Sequence, residues 1–313
     1  MLQQTTVKAV APYYRRFVER FPTLDSLAQA PLREVLAAWS GLGYYRRARS
    51  LHAAARVVRA RHGGRMPASR DALLALPGIG RYTAGAILSL AFGRREPVVD
   101  GNVARVLSRL LLVRDDPRSS AAQERLWGAA AALVKASAVS PGDLNQALME
   151  LGATVCTPAA PACGACPVSA ACAARAAGLQ ETIPVARRRR KTVRLRRTLA
   201  LVRRDGRLLM RRREETGLMD GLWEFPEVAV GAGSARNGEP RIALGRRLMT
   251  LLHTITYRRI EVRIHEGRLL REPRGPAYRW ATPKTARRLP TSSLVRKTLD
   301  RLGALPRDDL SRD

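Results

Sequence analysis

Acidic residues are scarce in this chain of 313 residues. Asp and Glu together number 26, against 56 Lys and Arg, and the formal net charge is +30. This balance disfavours a cationic partner and favours a polyanion, because basic side chains that neutralise phosphates release condensed counterions. Part of the charge reflects a chain that is rich in Arg throughout. The composition nevertheless predicts a nucleic acid partner.

Long apolar runs are also lacking. No stretch reaches the roughly 18 apolar residues that a transmembrane helix needs, and the N-terminal MLQQTTVKAV has no signal-peptide pattern. We therefore expect a soluble, cytoplasmic protein without a membrane partner, associated with the nucleoid if its source is bacterial. The length is sufficient for two domains, each with its own core.

Cysteine is rare, and its four occurrences lie in one short segment. The spacing is Cys156-x6-Cys163-x2-Cys166-x5-Cys172. Stabilising disulfides are normally spread along a secreted chain, so this clustering predicts a metal site. Four thiolates on one loop can hold an iron–sulfur cluster or a tetrahedral zinc ion, and two disulfides are a third alternative.

A glycine-punctuated turn, LPGIG at residues 76–80, separates two helical patterns. Gly78 and Gly80 can take positive φ and bring backbone N–H groups close to a phosphate, which a Cβ would obstruct. A helix predicted from Thr83 to Leu90 points its N-terminal dipole at the same place. The turn is therefore a candidate phosphate site.

A single carboxylate, Asp100, follows this turn and the helix after it. A phosphate-binding turn with one carboxylate near it suits chemistry on a sugar or base in DNA. The alternative is an ordinary helix–helix turn, with Asp100 capping a helix that starts near Asn102.

The stretches LPGIGRYTAGAILSLAFG and VVDGNVARVLSRL resemble the helix-hairpin-helix DNA glycosylases and, among them, the MutY-type adenine DNA glycosylases. The cysteine spacing resembles the [4Fe–4S] pattern of the endonuclease III and MutY families. The resemblance implies that the four cysteines bind a [4Fe–4S] cluster. It also implies a mainly α helix-hairpin-helix domain with a [4Fe–4S] loop, followed by an α+β Nudix-like domain.

The domain boundaries follow from composition and from this resemblance. Residues 1–178 are predicted to form the glycosylase domain, including the iron–sulfur loop 156–172; residues 179–194 form a basic linker, and residues 195–313 form the Nudix-like domain. Short β-like runs replace the helical pattern in the last part. A hydrolytic Nudix enzyme would need a cluster of glutamates, but the segment 228–245 has only Glu239. We therefore expect an 8-oxoguanine recognition module.

The resemblance implies a base-excision-repair enzyme that flips out adenine mispaired with 8-oxoguanine or guanine and hydrolyses its N-glycosidic bond. This reaction needs protonation of the departing base and stabilisation of an oxocarbenium-like sugar. Asp100 is the predicted ionised partner, Asn102 orients it, and Tyr82 supports the sugar or base. Strand-nicking relatives of the endonuclease III type have a Schiff-base lysine where Tyr82 stands, so the resemblance implies a monofunctional glycosylase.

Further contacts are implied by the matching motifs. The loop GLGYY-x-R-x-R is predicted to wedge the duplex, and a helix end with partly buried tyrosines is the alternative. The loop His253–Tyr257 departs from the family pattern His-x-Phe-Ser-His at its last three positions. The predicted residues are Leu2 and Gln146 for the extruded adenine, Gln3, Gln4 and Thr5 for the opposite base, Leu42 and Tyr44 for wedging, Gly78 and Gly80 for phosphate, and His253 and Thr256 for 8-oxoguanine.

Family members carry a glutamate, the proposed general acid, just upstream of the M-L-Q-Q-T motif. This sequence begins at Met1 and has no carboxylate before Glu19. An internal methionine taken for the start explains the difference; a weakly active or non-catalytic mismatch-binding protein is the other interpretation. For the chain as written we expect severely impaired catalysis.

An endonuclease III-type glycosylase for oxidised pyrimidines remains a further alternative, which Tyr82 and the C-terminal domain disfavour. The expected partner is double-stranded DNA with an A·8-oxoguanine or A·G mismatch, bound by a monomer.

Overall fold

The computed structural model describes residues 1, 5, 7–185, 191–213, 221–228, 239–255 and 257–303. Helices prevail from Val7 to Ala176, and strands with two further helices follow. The predicted fold class is confirmed, since a helical region precedes an α+β region with a mixed sheet. Among the described residues, no helix is long and apolar enough to cross a membrane.

The helical region has short 3₁₀ turns within the cysteine segment, at Cys163–Ala165 and Ser169–Ala171. Its α-helices are α1 (Val7–Arg20), α2 (Leu24–Gln29), α3 (Leu32–Trp39), α4 (Arg46–Arg61), α5 (Arg70–Leu74), α6 (Arg81–Phe92), α7 (Gly101–Leu110), α8 (Ser120–Ala136), α9 (Pro141–Thr154) and α10 (Ala173–Ala176).

The C-terminal region forms a sheet in the order β3-β2-β1-β5-β4, with β6 paired to β2. Strand β1 runs parallel to β5, and the other pairs are antiparallel. The elements are β1 (Val193–Arg204), β2 (Arg207–Arg212), β3 (Trp223–Glu224), β4 (Arg241–Ile255), β5 (Arg258–Arg271), β6 (Tyr278–Ala281), α11 (Pro283–Arg288) and α12 (Ser293–Gly303).

The chain divides into two compact units. The first comprises residues 1–59 and 190–313, and the second comprises residues 60–189. The predicted domain boundaries at residues 178 and 195 stay a prediction. The compact units are groups of residues in mutual contact, whereas the predicted domains are stretches of sequence that resemble known families.

The first unit contains the sheet and the helices α1 to α3. Alternation along β1 buries Leu199 and Leu201 on one face, where they pack with β5 and α12. Ala200 and Val202 are buried on the opposite face in a smaller cluster. A separate apolar cluster around Trp39 joins α1, α2 and α3.

The second unit is helical and contains the predicted catalytic residues. Helices α7 and α8 share a core that includes Val103, Leu107 and Leu126. Gly85 on α6 lies against the backbone carbonyl of Pro97, where a Cβ would clash. This close approach fixes the segment that leads into Asp100 against α6.

Candidate active site and cysteine loop

The predicted phosphate turn lies between α5 and α6. Gly78 has a φ of +78° and therefore occupies the left-handed region that favours glycine. Gly80 does not use this freedom, because its φ is −103° and it is the N-cap of α6. In the part of the chain that the structure describes, nothing lies within 4 Å of where a Cβ on Gly80 would be. The absence of a side chain at Gly80 therefore leaves the N-terminus of α6 open, and its φ is one that any residue can adopt.

The N-terminus of α6 is suited to an anion. Gly80 offers no side-chain cap, and the first turn has no acidic residue. The first N–H groups of the helix therefore have no side-chain acceptor from the cap, and the helix dipole favours negative charge there. Arg81 begins the helix, and its guanidinium stacks over the Trp127 ring, 3.9 Å from the centroid. The turn thus combines the backbone N–H donors at the N-terminus of α6 with the guanidinium of Arg81, which Trp127 holds in place.

Asp100 is the N-cap of α7. Its Oδ1 accepts hydrogen bonds from the backbone N–H groups of Asn102, at 2.9 Å, and Val103, at 2.7 Å. The side-chain amide of Asn102 donates to Oδ2 at 3.2 Å. Asp100 therefore caps α7, as the alternative interpretation predicts, and its catalytic role stays a prediction. Asp100 is half-buried, so the carboxylate retains access to solvent.

Tyr82 is half-buried on the first turn of α6. Its hydroxyl donates to the sulfur of Met149 on α9, at 3.7 Å. Burial raises the pKa of the Tyr82 phenol, and the negative charge of Asp100 raises it further. The phenol is therefore neutral at neutral pH. Gln146 is exposed and lies one turn before Met149, on the same face of α9.

Arg105 connects this site to the cysteine segment. Its guanidinium donates to the Asn102 side-chain oxygen at 2.9 Å and to the backbone carbonyls of Cys156 at 2.7 Å and Gly152 at 2.6 Å. Helix α9 approaches closely here, because a Cβ on Gly152 would lie 2.7 Å from the Cβ of Asn102. A chain of contacts thus runs from Asp100 through Asn102 and Arg105 to Cys156.

Arg109 holds the cysteine segment from the same face of α7. It is only 2% exposed. The guanidinium donates to the Cys156 sulfur at 3.1 Å and to the carbonyls of Thr157 at 2.8 Å, Pro158 at 3.2 Å and Ile183 at 2.8 Å.

The four cysteines are suitable ligands for a cluster. All four are free thiols, so the structure contains neither of the two alternative disulfides. Cys156, Cys163, Cys166 and Cys172 all line one small pocket. Among the described residues, no three His, Cys, Asp or Glu side chains lie close enough to hold a single metal ion. The four thiols are the donor set that an iron–sulfur cluster takes, and the [4Fe–4S] cluster implied by the family resemblance stays a proposal.

The predicted wedge loop belongs to the first unit, and its two candidates differ. Tyr44 is 49% exposed, has a φ of +48° and lies under the Arg47 guanidinium. Leu42, in contrast, is 7% exposed and packs in the Trp39 cluster. In this conformation only Tyr44 of the pair is available to enter a duplex.

The predicted base-contacting residues near the N-terminus are described only in part. Thr5 is half-buried, and its hydroxyl accepts a hydrogen bond from Arg47 at 3.1 Å. Leu2, Gln3 and Gln4 lie outside the described residues.

His253 lies near the end of β4, and Thr256 lies outside the described residues. The His253 ring is half-buried. Burial lowers its pKa, and the nearby charge of Lys297 lowers it further, while Glu224 acts in the opposite direction. The ring is therefore neutral near neutral pH, with one donor and one acceptor nitrogen.

Sequence reasoning missed Arg105 and Arg109. A signal was present, because residues spaced by three or four positions after Asn102 share one face of α7. Two arginines that share a helix face with the catalytic candidate Asn102 indicate that this face contacts polar groups. The sequence does not show that these partners belong to the cysteine segment, which lies about fifty residues further along the chain.

Comparison with known protein families gives two matches. Residues 1–131 match the HhH-GPD superfamily of base excision DNA repair proteins. Residues 197–301 match the NUDIX domain family.

Individual relatives agree with these matches. An adenine DNA glycosylase of Homo sapiens is 52% identical over 184 residues, covering 58% of this chain and 33% of the relative. An adenine DNA glycosylase of Arabidopsis thaliana is 41% identical over 265 residues, which cover 74% of this chain and 41% of the relative. The chain thus spans only about a third to two fifths of these curated relatives. A solved thermostable thymine-DNA glycosylase is 31% identical with a TM-score of 0.50, covering 56% of this chain and 80% of that one.

Proposed function

The chain belongs to the HhH-GPD superfamily of base excision DNA repair proteins, and on this premise we propose that it is a monofunctional adenine DNA glycosylase. Its resemblance to the MutY-type adenine DNA glycosylases is confirmed by the named relatives and the two family matches. The observation that carries the proposal is the oriented Asp100 carboxylate beside the neutral Tyr82 phenol. The proposed substrate is adenine opposite 8-oxoguanine or guanine.

Asp100 supplies the negative charge that the reaction needs. Cleavage of the N-glycosidic bond builds positive charge on the sugar, and a preorganised carboxylate stabilises that charge without reorganising. Its Oδ1 is bound to two backbone N–H groups, while Oδ2 accepts from the more distant side-chain amide of Asn102. The Oδ2 side is therefore the better placed to face the sugar.

Tyr82 gives the reaction its monofunctional character. A neutral phenol held by Met149 can contact the sugar or the base. It cannot form the imine through which a lysine cleaves the strand. Release of the base is therefore the expected chemical outcome. Gln146, on the same face of α9 as Met149, is the proposed reader of the adenine edge, because an amide offers both a donor and an acceptor.

The four cysteines are the proposed ligands of a [4Fe–4S] cluster. When bound, the cluster supplies iron–sulfur bonds that cross-link the loop 156–172. Arg109 orients the Cys156 sulfur, and Arg105 joins the backbone of Cys156 to Asn102. These two arginines make the loop part of the support for Asp100.

DNA is the proposed partner. The turn at Gly78 and the N-terminus of α6 would bind backbone phosphate, and Tyr44 would insert into the duplex. His253 and Thr256 are proposed to contact 8-oxoguanine, and Gln3 and Gln4 to contact the opposite base, on the basis of the family resemblance alone.

The substitution Asp100→Asn tests the proposal. Asparagine is as good an N-cap as aspartate, so the fold of α7 should survive. Loss of the charge should slow adenine release by at least roughly 10²–10³-fold. The measurement is single-turnover release of adenine from a duplex with adenine opposite 8-oxoguanine, together with duplex affinity by fluorescence anisotropy.

The control is Asp143→Asn, which removes an exposed carboxylate in the first turn of α9. It should leave the release rate within about twofold of the unchanged protein, because exposed charges at a distance are screened. Equal release rates for Asp100→Asn and the unchanged protein would contradict the proposed role of Asp100.

One finding favours a second candidate. The thermostable thymine-DNA glycosylase shares 31% identity, and this chain covers 80% of it. Release of thymine from a mismatch is therefore the rival activity, and Tyr82 is compatible with either base where it contacts the sugar.

A further inference from the structure

The loop that carries Tyr44 is bound to the C-terminal part of the chain, within the first unit. The hydroxyl of Tyr45 donates to the backbone carbonyl of Thr291 at 2.7 Å, and that of Ser40 donates to the same oxygen at 2.9 Å. The backbone N–H of Thr291 returns a hydrogen bond to the Ser40 hydroxyl at 3.4 Å. Ser40 and Thr291 are both fully buried.

The turn between these contacts holds an unusual backbone shape. Gly41 has a φ of +108°, Gly43 of +73° and Tyr44 of +48°, so three of four successive residues lie in the left-handed region. The backbone N–H of Gly41 donates to the Tyr45 hydroxyl at 3.2 Å. A non-glycine residue adopts such a φ only where its surroundings impose it. The Tyr45 hydroxyl is one such support, because it bonds both the turn and Thr291.

Thr291 is itself fixed by the C-terminal sheet. It forms a bridge with Trp223 of β3, and the Trp223 N–H donates to the carbonyl of Pro290 at 2.8 Å. Helix α12 begins two residues after Thr291, and the Arg296 guanidinium on its first turn lies beside Gly41. The anchoring carbonyl therefore cannot move without displacing β3 or α12.

We propose that the Thr291 carbonyl is the point at which the C-terminal domain sets the position of Tyr44, so that insertion of Tyr44 into DNA depends on that domain. Ser40 and Tyr45 are positioning residues in this arrangement. The proposal rests on the proposed function only in requiring that Tyr44 enters the duplex. It adds that the lesion-recognition domain and the wedge share one rigid contact.

The test measures unstacking directly, without base release. A duplex carries 2-aminopurine next to an A·8-oxoguanine pair, and its fluorescence rises when the base stack opens on binding. Tyr45→Phe keeps the ring and removes the hydroxyl, and Ser40→Ala removes the second donor. Each should lower the unstacked fraction severalfold. The double variant should fall about tenfold, towards the level of Tyr44→Ala, while affinity for undamaged duplex stays within about twofold.

Thr291→Val is the matched control. The Thr291 hydroxyl is buried and has no hydrogen-bond partner among the described residues, whereas the anchoring acceptor is the backbone carbonyl. Thr291→Val replaces the buried hydroxyl by a methyl group but keeps the backbone carbonyl that Ser40 and Tyr45 bind. It should therefore unstack the duplex as much as the unchanged protein does.

Full unstacking by Tyr45→Phe and Ser40→Ala would overturn the proposal, as would no unstacking by the unchanged protein. Equal loss in Thr291→Val would also overturn it, because that loss would reflect general damage to the core. Unstacking together with release of a base other than adenine by the unchanged protein would refute the proposed function and leave this contact standing.

Discussion

Arg109 is a single buried side chain that organises the start of the cysteine loop. It reaches the Cys156 sulfur and three backbone carbonyls from one helix position. A planar guanidinium presents its donors in a fixed fork, whereas a lysine offers one flexible point charge. The charge is the same in both residues, and only the geometry differs.

Arg109→Lys should therefore reduce binding of the cluster while preserving the net charge. Up to three of the four contacts are lost, and the carbonyls left without donors should lower the free energy of unfolding by about 2–4 kcal/mol. The measurements are iron and sulfide per protein after purification, and chemical denaturation. The control is Arg125→Lys, where an exposed pair with Asp115 contributes about 0–1 kcal/mol. Full cluster content in Arg109→Lys would contradict this role.

At the scale of residues, the sequence identifies the groups with distinctive chemistry but not the residues that position them. Asp100 stands out because few acidic residues occur near it, and the four cysteines stand out because they lie together in one short segment. Arg105 and Arg109 do not stand out among so many arginines. The burial of Leu42 is also invisible in sequence, because the motif GLGYY does not tell which of its side chains packs inward.

At the scale of elements, the contact between α7 and α9 positions the catalytic candidate. Gly152 lets α9 approach Asn102, which in turn bonds Asp100. A side chain at this point would push the two helices apart or move Asn102. The glycine therefore acts through close packing, since a helix interior is otherwise a poor place for it.

Gly152→Ala should disturb this packing. The added Cβ would lie 2.7 Å from the Asn102 Cβ, and relief of that clash should cost about 1–3 kcal/mol of unfolding free energy. Adenine release should slow as well, because Asn102 orients Asp100. The control is Gly128→Ala on the exposed side of α8, where nothing lies within 4 Å of the new Cβ. There, better helix propensity should add about 0.5–1 kcal/mol. Chemical denaturation and single-turnover assays measure both; unchanged stability in Gly152→Ala would contradict the packing argument.

Element type follows from the sequence more closely than element pairing does. The helix predicted from Thr83 to Leu90 lies within α6, Arg81–Phe92, and strands occur in the last part of the chain, where short β-like runs replace the helical pattern. The parallel pairing of β1 with β5 involves residues about sixty positions apart, and no local pattern encodes it. Strand β3 has only two residues, too few for any periodicity.

At the scale of the whole molecule, composition predicts the class of partner. The net charge of +30 favours a polyanion. The two compact units, however, do not coincide with the domains predicted from the sequence motifs, since one of them groups residues 1–59 with 190–313. The contact of Ser40 and Tyr45 with Thr291 contributes to that grouping. It joins residues about 250 positions apart through backbone groups, which a sequence pattern cannot reveal.

The measurement that tests the central claim most directly is the identity of the released base. The protein is mixed under single-turnover conditions with separate duplexes that contain adenine opposite 8-oxoguanine, adenine opposite guanine, thymine opposite guanine, or an oxidised pyrimidine, and the free bases are identified by mass. Whatever the absolute rate, release should be confined to adenine, should leave the strand intact, and should disappear in Asp100→Asn. Release of thymine or of an oxidised pyrimidine in place of adenine would contradict the account.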